Sequence, residues 1–239
     1  MSCLADVVIP AAGVGKRMGA SIPKQYIKLG NLTVLERTCE IFLNDPHIAH
    51  VIVAVSPEDP FYQLLPLSSH HKVVTVEGGK ERANSVFNAL KYVTTPYVVV
   101  HDAARPLLHT DDLQTLLNAG FNIPDGAILA VKMSDTVKAS LLQQNGEFVV
   151  ERTVPREHLW RALTPQMFKT DILTEAMEAA FLKNEAITDE ASAVECIGLH
   201  PSLVECCHPN FKLTSPSDLM LAQALLHFEG KYDQDRTWL

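Results

Sequence analysis

The stretch that decides the fold is Val7-Val8-Ile9-Pro10-Ala11-Ala12-Gly13-Val14-Gly15-Lys16-Arg17-Met18-Gly19. Its first residues are apolar and mostly β-branched, which is typical of a buried strand. Small residues follow, and they allow a backbone to come close to a ligand. The stretch therefore predicts a first strand that runs into a phosphate-binding loop.

Two common phosphate-binding loops do not fit this stretch. A dinucleotide fingerprint needs G-x-G-x-x-G, but the third glycine comes one place late, at Gly19, with Met18 in its position. A Walker A loop ending at Gly15-Lys16 would need glycine in place of Pro10 and serine or threonine in place of Arg17. The loop belongs to neither type.

Cations are concentrated around this loop in an otherwise acidic chain. The 239 residues carry a net charge of −8, yet residues 7–35 contain no acidic side chain and have a charge of +4. The four cations are Lys16, Arg17, Lys24 and Lys28. Because an acidic protein repels a polyanion at long range, we expect no nucleic-acid partner. An anionic ligand must therefore be met locally, and this segment supplies local positive charge.

The composition is that of a globular protein. Apolar residues make up 47% of the chain and charged residues 20%, which excludes disorder. No apolar run approaches 18 residues and no signal-peptide pattern is present, so we expect neither a membrane span nor export. The five cysteines show no C-x-x-C spacing and indicate reduced thiols in a cytoplasmic protein.

Apolar β-branched runs alternate with amphipathic segments along the chain. This rhythm predicts an α/β fold with a doubly wound, mostly parallel sheet. Capping-box patterns at Thr33-x-x-Glu36 and Ser215-x-x-Asp218 predict two helix starts. The predicted strands are Val7–Pro10, Val51–Val55, Val73–Val76, Val98–His101 and Ala127–Val131.

One region breaks the alternation. Residues 136–140 and 148–154 are strand-like and flank Gln143-Gln144-Asn145-Gly146, whose Asn-Gly pair suits a tight turn. We predict one domain over residues 1–239 with an antiparallel arm at about residues 136–155. An arm of this kind cannot bury its own face, so it packs against a second subunit or remains a surface hairpin.

Several motifs carry a family resemblance. Pro10–Gly19 with Pro23-Lys24-Gln25 resembles the signature of sugar-phosphate nucleotidyltransferases, which have a Rossmann-like sheet. Five later blocks occur in the order typical of the 2-C-methyl-D-erythritol 4-phosphate cytidylyltransferase family. They are Gly78–Ser85, His101–Pro106, Leu163–Gln166, Thr188–Ser192 and Lys212.

This resemblance implies the reaction and the nucleotide contacts. The family transfers CMP from CTP to 2-C-methyl-D-erythritol 4-phosphate and releases pyrophosphate, a step of isoprenoid precursor synthesis. It implies that Ala11, Ala12 and Gly13 approach the nucleotide through their backbone, and that Gly79 and Ser85 read the cytosine. Without the resemblance, the glycine pair at 78–79 would indicate only a turn.

The resemblance also places Arg17, Lys24 and Lys212 around the reacting phosphates. A phosphomonoester has a second pKa of about 6, so the attacking oxygen is already ionised and no general base is required. The barrier lies in bringing two anions together, which calls for fixed cations and a Mg²⁺ ion. Asp102, after a strand, is the candidate metal ligand, with loop capping as the alternative; His101 is interpreted as structural.

For the acceptor, the resemblance implies residues from two subunits and a homodimer. Thr188 also fits a helix N-cap, which is the simpler interpretation. The implied contacts are Asp102 and Arg105 in one subunit, Thr136 and Arg156 from the partner's arm, and Thr164 and Thr188 to complete the pocket.

Other interpretations have less support. The pairs His70-His71 and Cys206-Cys207 lack a second pair with metal-ligand spacing, so we assign them no site. No G-x-S-x-G elbow supports a hydrolase. A ribitol 5-phosphate cytidylyltransferase would share most of these motifs, and a non-catalytic nucleotide-binding module would keep the fold without turnover.

Overall fold

A seven-stranded sheet forms the centre of the molecule in the computed structural model, which describes residues 3–13 and 22–230. The strands within these ranges are β1 (Ala5–Pro10), β2 (Lys28–Leu29), β3 (Leu32–Thr33), β4 (Ile48–Val55), β5 (Val73–Glu77), β6 (Tyr97–Val100), β7 (Ala127–Lys132), β8 (Val137–Leu142), β9 (Phe148–Val154), β10 (Trp160–Lys169) and β11 (Ser202–Glu205). The helices are α1 (Val34–Leu43), α2 (Arg82–Leu90), α3 (Thr110–Asn122), α4 (Thr170–Leu182), α5 (Glu190–Glu195) and α6 (Pro216–Phe228).

The order of strands in the main sheet is β11-β7-β10-β6-β1-β4-β5. The pairs β6/β1, β1/β4, β4/β5 and β11/β7 are parallel, while β10 is antiparallel to both of its neighbours. The five predicted strands are β1, β4, β5, β6 and β7. The sequence did not predict β10, since Thr164-Pro165-Gln166 interrupts its apolar pattern, and the β10/β7 register shifts at this point, between Ala162 and Gln166.

Helices cover both faces of the sheet, which confirms the doubly wound prediction. Val7 and Ile9 of β1 pack on one face, in a core with residues of α1 and α3. Val8 points to the other face, in a core with residues of α2, α4 and α5. Strands buried on both faces have continuous apolar runs, which explains why β1, β4, β6 and β7, each with a neighbour on both sides, were readable from sequence.

Both predicted capping boxes are present. Thr33 accepts a hydrogen bond from the Glu36 backbone N–H and begins α1, while Ser215 does the same with Asp218 and begins α6. The prediction of Thr188 as a helix N-cap is wrong by one residue. Asp189 caps α5, because its carboxylate accepts the Ser192 N–H at 2.9 Å.

Strands β8 and β9 form a separate two-stranded antiparallel sheet, here called the arm. Its turn closes with a hydrogen bond from Gly146 N–H to the Gln143 carbonyl at 3.0 Å, and Gly146 has a φ of 85°, which favours glycine. The arm has four exposed large apolar side chains: Leu141, Leu142, Phe148 and Val150.

Two further findings bear on the composition argument. None of the five cysteines is in a disulfide. Across residues 3–13 and 22–230, no helix combines the length and the apolar character needed to cross a membrane.

Candidate active site

A cavity of about 320 Å³ lies at the carboxyl ends of β1 and β6. Strand ends of this kind are where open α/β sheets bind ligands. The cavity brings together segments far apart in sequence. Its lining includes Ala11–Gly13, Lys24, Gln25, Gly79–Arg82, Ser85, Asp102 and Lys212.

The loop after β1 is held from behind by Gln25. The Gln25 side-chain amide donates to the carbonyls of Ala11 at 2.9 Å and Gly13 at 3.0 Å. Gln25 is buried, so these bonds are shielded from water. The sequence analysis gave Gln25 no role, although its position beside Lys24 in the Pro-Lys-Gln motif was the signal that could have identified it.

The glycine pair after β5 packs against this loop. A Cβ atom built at Gly78 would lie 2.4 Å from the Cβ of Ala12, and one at Gly79 would lie 2.3 Å from the Cβ of Asn84. The Ser85 hydroxyl accepts the Gly79 N–H at 3.0 Å, so this side chain also orders the loop. The pair is therefore required by close packing, and its predicted contacts with cytosine stay a prediction.

Asp102 forms the centre of a charged cluster at the edge of the cavity. Its Oδ1 accepts from Arg82 Nε at 2.9 Å, and its Oδ2 lies 3.3 Å from Arg105 Nε and 3.0 Å from Lys212 Nζ. Burial alone would raise the pKa of this carboxyl, but the cations hold the pKa well below its usual range. Asp102 is thus an anion at any physiological pH.

The two described lysines predicted to act on phosphate lie together. Lys24 and Lys212 both line the cavity, and Lys24 Nζ donates to the carbonyl of Leu213 at 3.0 Å. They come from segments 188 residues apart and are joined by the fold. Arg17, the third predicted cation, lies outside the described residues, as does the rest of the loop at 14–21.

Sequence analysis also missed a buried ion pair behind Asp102. Arg82 donates to both carboxylate oxygens of Glu190, at 2.7 and 3.0 Å, while its Nε holds Asp102. Glu190 is fully buried and belongs to the Thr188–Ser192 block. Burial lowers the pKa of Arg82, but Glu190 and Asp102 outweigh burial and raise it. The signal that could have identified this ion pair was an arginine in the Gly78–Ser85 block and a glutamate in the Thr188–Ser192 block.

His101 and Thr164 support Asp102 from below. Thr164 Oγ1 accepts the Asp102 backbone N–H at 3.0 Å and lies 3.1 Å from His101 Nδ1. His101 Nε2 lies 3.0 Å from the Arg105 carbonyl, and burial lowers its pKa to about 4. His101 is therefore structural, as predicted. Thr164 lies beneath the cavity and not in its lining, so its contact with the acceptor stays a prediction.

Of the remaining predicted acceptor residues, Arg105 belongs to the charged cluster and the other three do not. Arg105 is held between Asp102 and the Asn210 carbonyl, with its Nη1 2.7 Å from that oxygen, and burial lowers its pKa. Thr136, Arg156 and Thr188 are exposed and do not belong to the described cavity lining. Within one chain the structure does not bring these three to Asp102.

The donor set of the cavity fits a Mg²⁺ ion only as one held mainly by phosphates. Asp102 offers hard oxygen ligands at the cavity edge, but its Oδ2 is now bonded to the Lys212 ammonium. Glu81, also in the lining, is exposed at the start of α2, where its backbone N–H donates to Asn84 Oδ1 at 3.2 Å. Asp102 is the buried carboxylate of the lining and would be the protein ligand, with lysine displaced and with water and phosphate oxygens as the other ligands.

Another group of metal-type ligands lies apart from this cavity. Among the described residues, His109, Asp111 and His208 bring three ligand atoms within 4.8 Å of one another. Neither His70-His71 nor Cys206-Cys207 takes part. The absence of a site at these two pairs stays a prediction.

The fold and cavity are those of a class of protein, the α/β nucleotidyltransferases: two lysines from distant segments line one cavity at the strand ends. The model of the 2-C-methyl-D-erythritol 4-phosphate cytidylyltransferase family matches residues 5–228. This chain belongs to that family and is a cytidylyltransferase.

Individual relatives agree with this assignment. The 2-C-methyl-D-erythritol 4-phosphate cytidylyltransferase of Vibrio vulnificus (strain YJ016) is 46% identical over 227 residues, 93% of this chain and 94% of the relative. That of Shewanella sediminis is 47% identical over 92% of each chain. The crystal structure of the Francisella tularensis enzyme has a TM-score of 0.79 at 36% identity and covers 92% of this chain and 99% of its own.

Proposed function

We propose that this chain transfers CMP from CTP to 2-C-methyl-D-erythritol 4-phosphate, giving 4-diphosphocytidyl-2-C-methyl-D-erythritol and pyrophosphate. The single observation that supports this best is that Lys24, Lys212 and the Ala11–Gly13 loop line one cavity beside Asp102. The family assignment supplies the substrates. The isoprenoid precursor pathway that does not use mevalonate consumes this product.

The reaction needs positioning more than it needs a base. The acceptor phosphate has a second pKa of about 6, so an ionised oxygen attacks the α-phosphorus of CTP. The new P–O bond forms as the bond to the β-phosphate oxygen breaks, and that electron pair leaves with pyrophosphate. Lys24 and Lys212 reduce the repulsion between the two anions and stabilise charge on the α-phosphate. Arg17, in the same loop, is the third cation of this proposal.

A Mg²⁺ ion completes the proposed set, with Asp102 as its protein ligand. When bound, it neutralises and orients the triphosphate. The support is the donor set described above: one buried carboxylate at the edge of a cavity lined by lysines. Arg105 and Arg82 keep the carboxylate in place when Lys212 moves to the phosphates.

We further propose a homodimer in which the arm of each subunit completes the site of the other. The support is that the arm exposes Leu141, Leu142, Phe148 and Val150. In a monomer these apolar side chains would remain in contact with water. Thr136 and Arg156 lie at the base of the arm, exposed and outside the described cavity lining of their own chain. The reduced cysteines support a cytoplasmic location.

The experiment that tests the proposed function is turnover with Mg²⁺ and three acceptors: the 4-phosphates of methylerythritol and erythritol and ribitol 5-phosphate. Each is measured with CTP and with UTP, and pyrophosphate release is compared as kcat/KM. We expect CTP with methylerythritol phosphate to be preferred at least 100-fold. A preference for ribitol phosphate would make that compound the acceptor in place of methylerythritol phosphate. CTP binding without pyrophosphate release from any acceptor would favour a non-catalytic binding module.

Replacement of Lys24 by alanine tests the role of the cations. We expect Lys24→Ala to lower kcat at least 100-fold, because a preorganised charge at the phosphates is lost. Lys28→Ala is the matched control, since Lys28 is an exposed lysine in the same segment and does not line the described cavity. Equal activity of the two variants would remove Lys24 from the reaction.

A further inference from the structure

The pair formed by Arg82 and Glu190 joins the candidate site to a buried part of the fold. Arg82 lines the cavity at the first turn of α2, and Glu190 lies at the first turn of α5. The two hydrogen bonds between them, at 2.7 and 3.0 Å, form a bidentate pair. Such pairs fix the plane of the guanidinium group. With that plane fixed, Nε points at Asp102 Oδ1.

We propose that Glu190 is a positioning residue for the cytidylyl transfer. It does not line the described cavity and is fully buried, so it reaches the reactants only through Arg82. By taking both terminal nitrogens of Arg82, it leaves Nε as the donor for Asp102. The carboxylate that serves the acceptor and the metal is thereby held in one orientation. The inference rests on the proposed function, because Asp102 acts only in that reaction.

The charges of the cluster show why a carboxylate is needed at this position. Arg82, Arg105 and Lys212 face Asp102 and Glu190, so the described cluster carries one net positive charge. Without Glu190, Arg82 would keep only its bond from Nε to Asp102 Oδ1 while it faces a cavity proposed to hold a triphosphate. A long arginine side chain could then bind the nucleotide phosphates and leave Asp102. Glu190 prevents this by engaging Arg82 before the substrate arrives.

The α5 segment that carries Glu190 is itself firmly attached. Gln166 of β10 donates from Nε2 to Asp189 Oδ2 at 2.9 Å and accepts the Ala191 N–H at 2.9 Å. Gln166 is buried, and its side chain thus holds the residues on both sides of Glu190. The rigidity of this attachment passes to Arg82 through the ion pair and then to Asp102.

The test uses Glu190→Gln in the full-length enzyme. We expect kcat to fall at least tenfold and KM for the acceptor to rise, while Kd for CTP stays within twofold of wild type or becomes tighter. A role in stability alone would lower the melting temperature and leave kcat and both constants unchanged at 25 °C. Wild-type values for all three quantities would overturn the proposal.

Two additional variants keep the test decisive. Glu190→Asp retains the charge and should recover part of kcat. In a double-mutant cycle, Glu190→Gln should have little further effect in an Arg82→Gln background, because both changes act on Asp102 by one route. Additive effects would mean that Glu190 does not act through Arg82. If Glu190→Gln does not fold, the cycle is measured with Glu190→Asp.

Glu36→Gln is the matched control. Glu36 is also a buried carboxylate at a helix start, but it binds Thr33 and does not line the described cavity. We expect it to lower stability and leave the kinetic constants unchanged. Inactivity of the wild type would reject the proposed function, whereas an active wild type with an indifferent Glu190→Gln would reject only this inference.

Discussion

At the scale of single residues, the site depends on side chains that hold its other residues in place. Gln25 holds the carbonyls of the nucleotide loop, Thr164 holds the backbone of Asp102, and Glu190 holds Arg82. Each of them is buried. A catalytic group is only as well placed as the groups that restrict its motion, so these supports matter as much as the cations themselves.

Gly78 allows a sharp test at this scale. In Gly78→Ala the new Cβ would lie 2.4 Å from Ala12 and 3.3 Å from the Val55 carbonyl, so the loop must move. We expect Kd for CTP to rise at least tenfold in calorimetry. Gly120→Ala is the control, because its Cβ would collide with the flexible side chain of Met167 in the core. If both variants destabilise the protein but neither weakens CTP binding, the loop is not the nucleotide site.

At the scale of elements, two parts of the arm are proposed to have two different roles. Its apolar strands are proposed to form the contact between subunits, and its base is proposed to supply Thr136 and Arg156 to the other site. The strand register places Leu142, Phe148 and Val150 on one face of the hairpin and Leu141 on the other, and all four are exposed. A two-stranded hairpin is marginal by itself, which is a further reason to propose a partner surface for the arm.

Arg156→Ala tests the base of the arm. We expect KM for the acceptor to rise about tenfold or more, with Kd for CTP unchanged, because this side chain would meet only the acceptor phosphate. Arg152→Ala is the control, as Arg152 is an exposed arginine within β9. An unchanged acceptor KM in Arg156→Ala would remove Arg156 from the site.

At the scale of the whole molecule, the buried His101 connects stability to pH. Its pKa is about 4 in the folded state against an ordinary value of 6.5, because burial disfavours the charged ring. The unfolded chain therefore binds more protons between these values. The contribution is fully present above pH 6.5 and is lost as pH falls toward 4, by up to about 3 kcal/mol.

His101→Gln should remove this part of the pH dependence. The variant will be less stable than wild type at pH 7.5, since Gln replaces only one of the two contacts of the ring. The free energy of unfolding is measured by urea at several pH values and one protein concentration. We expect the gap between the two proteins to narrow from pH 6.5 to pH 4.5, and a constant gap would contradict the assignment.

The sequence by itself determined the class of fold, five strands of the main sheet, both capping boxes, the arm and the family. These features are local. Apolar runs, caps, turn residues and the residues of each motif lie within a few positions of one another. The tertiary structure alone decided that Lys24 and Lys212 line one cavity, that Glu190 holds Arg82, and that β10 runs against its neighbours. Such contacts join residues from 28 to 188 positions apart, and their partners are chosen by packing, which no local pattern records.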